Sequence, residues 1–101
     1  MLSLSEIRRD LSEIRYYYSR REVFDEAFRT VSANSILDKV KKYNAVIAVA
    51  PPRLYDLYIG LYVKNATQEG LSIELGYSPH RIYELNKQLL LFLQEKSSGL
   101  L

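Results

Sequence analysis

The chain has 101 residues, with 14 Lys and Arg against 12 Asp and Glu, 48% hydrophobic and 12% aromatic residues, four Gly, three Pro and no Cys. This is the profile of one small domain, spanning 1–101, which buries only about 60 to 70% of its unfolded surface and would gain stability from self-association. With no cysteine and His80 as the only histidine, a disulfide framework, a thiolate zinc site and a cysteine nucleophile are excluded, no acidic cluster has calcium-loop spacing, and no metal or cofactor is expected.

The amino-terminal MLSLSEIRRDLSEIR carries charge where a signal peptide needs an apolar run, which points to a cytoplasmic protein. Ala45 to Pro52, the most apolar stretch, falls far short of the ~20 residues that span a bilayer, so no membrane partner is expected. From Leu4 the apolar residues recur at Leu4, Ile7, Leu11, Ile14 and Tyr18, spaced by three and four as on one face of a helix. LSEIR occurs at Leu4–Arg8 and again at Leu11–Arg15, a heptad offset, and two readings stay open: a helix packed on its own domain, or a helix that meets a second copy through Leu4, Ile7, Leu11, Ile14, Tyr17 and Tyr18. Tyr16, Tyr17 and Tyr18 point in three directions on one helix, so at least one must pack inward and at least one must reach a neighbouring helix or a partner. The pattern runs on through Val23, Ala27, Phe28 and Val31 with Phe24 at its flank, and Arg21 at a core register suggests a kink.

Ser32-Ala33-Asn34-Ser35 interrupts the pattern, and Ser35 with Asp38 resembles a capping box that would start a second helix near Ile36. Val40, Tyr43, Ile47 and Ala50 form its apolar face, with Lys39, Lys41 and Lys42 elsewhere. Pro51 and Pro52 end it, and Pro52 suits the first position of a third helix running to about Val63. Gly60 lies inside that helix at a cost of about 1 kcal/mol unless close packing uses it. Lys64-Asn65-Ala66 then forms a short loop.

Thr67 caps a short helix, Gln68 to Leu75, which Gly76 ends by tolerating a left-handed backbone. Ser78 caps the last helix, Pro79 opens it, and Ile82, Leu85, Leu89 and Phe92 carry it to about Gln94. Two helices meeting at such a corner must approach closely, which explains small Ser72 four residues before Gly76. On TQEGLSIELGYSPHRIYELNKQL and the preceding tyrosine-rich helix, Leu54 to Gln94, the sequence resembles the C-terminal helix-turn-helix of sigma-factor region four, and within that group the autolysin-regulator (ArpU-like) transcriptional regulators of Gram-positive phages and mobile elements.

The resemblance implies double-stranded DNA as partner and the helix from Pro79 as recognition helix. Its exposed residues would be Ser78, His80, Arg81, Tyr83, Glu84 and Lys87: Ser78 on a phosphate, Arg81 on guanine, Tyr83 and Glu84 on a thymine methyl and a cytosine amino group, and Lys87 on a flanking phosphate. Thr67 and Gln68 would lie against the backbone. Charge is less generous, because Thr67 to Leu101 holds three basic and four acidic groups and phosphate neutralisation drives nonspecific affinity. Arg8, Arg9, Arg15, Arg20, Arg21, Lys39, Lys41 and Lys42 offer either a second contact surface or an ordinary solvated face, since acidic residues alternate with them.

The expected protein is therefore all-α, with about five helices: an N-terminal helical association region at 1–50 and a tri-helical helix-turn-helix region at 52–96. Neither paired carboxylates, nor a Ser/His/Asp set, nor a glycine-rich phosphate loop stands out, so no enzyme is expected. The sequence supports a homodimeric regulator, with a rival reading as a non-catalytic module that holds RNA polymerase or another host protein without touching DNA.

Overall fold

The computed structural model describes residues 2–20 and 31–98. The predicted positions Arg21, Val23, Phe24, Ala27 and Phe28 lie outside them. Five helices make up the described chain: α1 (Leu4–Ser19), α2 (Val31–Ile47), α3 (Pro52–Tyr58, continued by a π-helical turn over Ile59–Val63), α4 (Gln68–Leu75) and α5 (Pro79–Ser98). The protein is all-α.

Local chemistry sets most of the boundaries. Ser3 and Glu6 form a full capping box at the start of α1, with Glu6 N–H donating to Ser3 Oγ at 3.1 Å and Ser3 N–H donating to Glu6 Oε2 at 2.9 Å. Ser-x-x-Glu before an apolar repeat is the sequence signature of that box. Pro51 and Pro52 separate α2 from α3, and Pro52 lies in the first helical turn as expected. The last turn of that third helix widens, because Lys64 N–H bonds to the Ile59 carbonyl five residues back rather than four. Asn65 then reverses the chain with φ +59°, which an Asn tolerates better than most residues.

The predicted break at Ser32–Ser35 does not occur. α2 begins at Val31 and runs unbroken through that stretch, so Ser35 is a helical residue and caps nothing. Ser and Asn cost only a few tenths of a kcal/mol within a helix, about what packing against neighbours overrides.

One core joins all five helices. α1 packs against α2, α5 and the π-helical turn, while α3 and α4 both pack on α5. At its centre Ile7, Ile14, Tyr43, Leu57, Tyr58, Ile82, Leu89 and Leu93 are completely buried. This settles the α1 stripe. Ile7, Leu11 and Ile14 are at most 1% exposed and Tyr17 is 5% exposed, with Leu4 and Tyr18 packed beside them. Of the two readings, the chain's own helices cover the stripe, as two heptads of apolar residues fit an internal groove as well as a partner.

The tyrosines mostly tie helices together. Tyr43 donates to Asp10 at 2.7 Å, Tyr58 to Asn44 Oδ1 at 3.3 Å and Tyr62 to Asn86 Oδ1 at 2.7 Å, while Asn44 Nδ2 donates to the Tyr18 hydroxyl at 3.3 Å. Of the three consecutive tyrosines, Tyr17 is buried, Tyr18 meets α2 and Tyr16 is half exposed beneath the Arg20 guanidinium. Lys39 stays partly exposed but is engaged by α1. Its ammonium lies 2.6 Å from Glu13 and 3.4 Å from Asp10, because α1 and α2 pair across this line.

Candidate nucleic-acid interface

The predicted corner forms from the residues assigned to it. Thr67 Oγ1 accepts a 2.9 Å hydrogen bond from Gly70 N–H and so caps α4. Gly76 closes the helix at φ +74°, with Tyr77 N–H reaching back to the Ser72 carbonyl at 2.9 Å and Gly76 N–H to Ile73 at 3.3 Å, the paired bonds of a Schellman ending. Ser78 Oγ accepts from Arg81 N–H at 3.1 Å and caps α5. Three residues, Gly76 to Ser78, thus join the two helices.

Tight packing holds the corner. Ser72 is 4% exposed and turns its hydroxyl onto the Glu69 carbonyl at 2.7 Å, so a polar group sits at the close approach without an unpaired donor. Leu71, Ile82, Leu85 and Leu89 fill the interior behind it, each at most 2% exposed. Gly60 answers its predicted cost, because a Cβ there would lie 2.6 Å from Leu71 Cδ1. An added Cβ would force the Leu71 side chain to shift where the π-helical turn meets α4.

On the outer side, Thr67, Gln68, Ser78, His80, Tyr83 and Lys87 are exposed, and Arg81 and Glu84 are partly so. All eight predicted residues therefore lie on the two capped helix starts or the first turns of α5. Their electrostatics differ from the expectation in one respect. Glu84 is held by two neighbours, 2.7 Å from His80 Nε2 and 3.6 Å from Arg81 Nη1, so its oxygens and the Arg81 guanidinium partly satisfy each other. Lys87 has no carboxylate within ion-pair distance among the described residues. The Arg81 amide is occupied by Ser78, but the Ser78 hydroxyl proton remains available to an anion, as a capping oxygen still carries its donor.

Sequence reasoning missed the neighbour of this surface. Arg15 of α1 reaches the loop before α4, with Nε donating to Asn65 Oδ1 at 3.1 Å and Nη2 to the Ala66 carbonyl at 3.5 Å. Tyr62 sits beside it: burial pushes its phenol up, while the hydrogen bond to Asn86 and the charges of Arg15 and Arg8 pull the other way. No periodicity signals a contact fifty residues apart in the chain.

Among the described residues, no group of three or more potential ligands is arranged to hold a metal ion, and no helix is long and apolar enough to cross a membrane. Comparison of the chain with protein-family models, curated proteins and solved structures finds no match.

Proposed function

We propose that this protein is a sequence-specific DNA-binding transcriptional regulator of the cytoplasm, of the sigma region-four-like kind found in phages and mobile elements, which reads duplex DNA through α4 and α5. The observation that carries the reading is the corner itself. A short capped helix, a three-residue turn opened by left-handed Gly76 and a longer capped helix hold Ser78, His80, Arg81, Tyr83 and Lys87 outward on a buried apolar base. In a helix-turn-helix the start of the second helix enters the major groove and its exposed side chains meet base edges. Arg81 is the residue for guanine, and Lys87 and Gln68 are those for phosphates. A dimer on a palindromic site would set two copies of α5 about 34 to 36 Å apart, through a face other than the buried α1 stripe. No catalysis is part of the proposal.

The test is selection of bound sequences from random duplex DNA at low and physiological salt, with mass followed by light scattering. Enrichment of a site that Arg81→Ala relaxes, and a salt slope that Lys87→Ala lowers by about one, would support the reading. A second reading, a module that holds a host protein such as RNA polymerase, draws support from Glu84 pairing with Arg81 and His80 and from the exposure of Ile73 and Tyr83, 77% and 58%. Folded protein that enriches nothing at either salt would favour that second reading.

A further inference from the structure

We infer that Arg8 and Arg15, on one edge of α1, form a second contact with the phosphate backbone of duplex DNA, continuous with the α4–α5 surface. The inference rests on the DNA-binding reading above and supplies the positive charge that α4 and α5 lack.

The first ground is the placement of charge. Acids and arginines alternate along α1, yet helical spacing sets Arg8 and Arg15 on the opposite side of the buried stripe from Glu6, Asp10 and Glu13. Glu6 is engaged by the Ser3 amide at 2.9 Å, Asp10 is 6% exposed and accepts from Tyr43, and Glu13 lies 2.6 Å from Lys39. Arg8 and Arg15 are seven residues apart, close to two helical turns, and so share an edge on the other side of the buried stripe, about 10 Å apart along the axis. Neither has a carboxylate within ion-pair distance among the described residues.

The second ground is position. Arg15 holds the Asn65–Ala66 loop directly before the Thr67 cap of α4. Its neighbour Tyr62 bonds to Asn86 of α5, three residues from Tyr83 and next to Lys87. The arginine edge therefore adjoins both helix surfaces assigned to DNA. Arg15 spends two of its five donors on the loop, which orients the guanidinium and leaves the others for an anion. A row of spaced cations beside a groove-reading helix fits a regular polyanion, whose phosphates position a protein without reporting sequence.

The experiment measures duplex DNA affinity against salt for the full chain, the R8Q/R15Q variant and R9Q/K41Q, which removes the same charge from exposed positions off this edge. Circular dichroism checks that each is folded, and R8K/R15K guards against a purely structural effect of the loop contact. The expected result is a salt slope smaller by about two in R8Q/R15Q, nearly unchanged in R9Q/K41Q and restored in R8K/R15K, with the preferred bases unaltered. Equal losses in the two charge-neutralised variants, or no loss in R8Q/R15Q while Lys87→Ala still lowers the slope, would overturn the arginine edge and leave the DNA reading standing. Absence of any DNA binding by the unmodified chain would overturn both.

Discussion

The Tyr43 hydroxyl donates a 2.7 Å hydrogen bond to Asp10 Oδ2 at a point where Tyr43 is fully buried and Asp10 is 6% exposed. A carboxylate on the inner part of α1 is thereby matched from α2 twice, by this phenol and by the Lys39 ammonium. A buried charge is tolerated only when its lone pairs are satisfied, and removing one partner leaves the remainder exposed to the full desolvation cost.

Asp10→Ala should therefore lower unfolding free energy by about 2 to 4 kcal/mol, and Tyr43→Phe by about 1 to 2 kcal/mol, in urea titrations. The double variant should cost less than the sum, since the second change removes a group already stranded by the first. Strict additivity would show that the bond contributes nothing as a pair.

Alkaline pH should unfold the protein steeply. Burial is the main cause that raises the Tyr43 phenol, with the hydrogen bond and charge of Asp10 adding to it, and burial also raises Tyr58 and Tyr62. Lys39 is raised as well, chiefly by its hydrogen bond to Glu13. In all four the fold favours the protonated form, so their contribution is complete below the ordinary tyrosine value of 10.0 and is lost as pH rises past it. Tyr43 and Tyr58 should then each remove about 1.4 kcal/mol of stability per pH unit. Urea midpoints from pH 8 to 11 check this, and Tyr58→Phe should flatten the fall; a midpoint that stays level above pH 10 would contradict it.

The two structural glycines should respond for different reasons. Nothing lies within 4 Å of a Cβ built on Gly76, whose φ is +74°, so Gly76→Ala should cost about 1 kcal/mol from backbone strain alone, and Gly76→Asn less. At Gly60 an added Cβ meets Leu71. Overpacking of about 1 to 3 kcal/mol should outweigh the gain of about 1 kcal/mol in helix propensity. Trimming the neighbour in Gly60→Ala/Leu71→Val should recover part of the loss, whereas Leu71→Val should do nothing for Gly76→Ala.

Glu84→Gln should strengthen nonspecific DNA binding. It frees Arg81 and removes an anion 2.7 Å from His80, so the salt slope should rise by up to about one. A weaker complex instead would mean that Glu84 itself contacts a base.

The sequence by itself determined the elements whose causes are local. Thr67, Gly76, Ser78 and the Pro51–Pro52 pair act through their own backbone or the next turn, and the corner formed from them lies where they predicted it. The apolar spacing of Ile7, Leu11 and Ile14 likewise named a buried face. Spacing reports that a face is covered and not what covers it, so only the tertiary structure decided that α1 turns inward to its own domain. The same limit hid the pairing of Asp10 with Tyr43, the capture of Lys39 by α1, and the hold of Arg15 on the Ala66 carbonyl. Those contacts join residues 26 to 51 positions apart, where no local preference acts and only the packing of one helix against another brings charges together or keeps them apart.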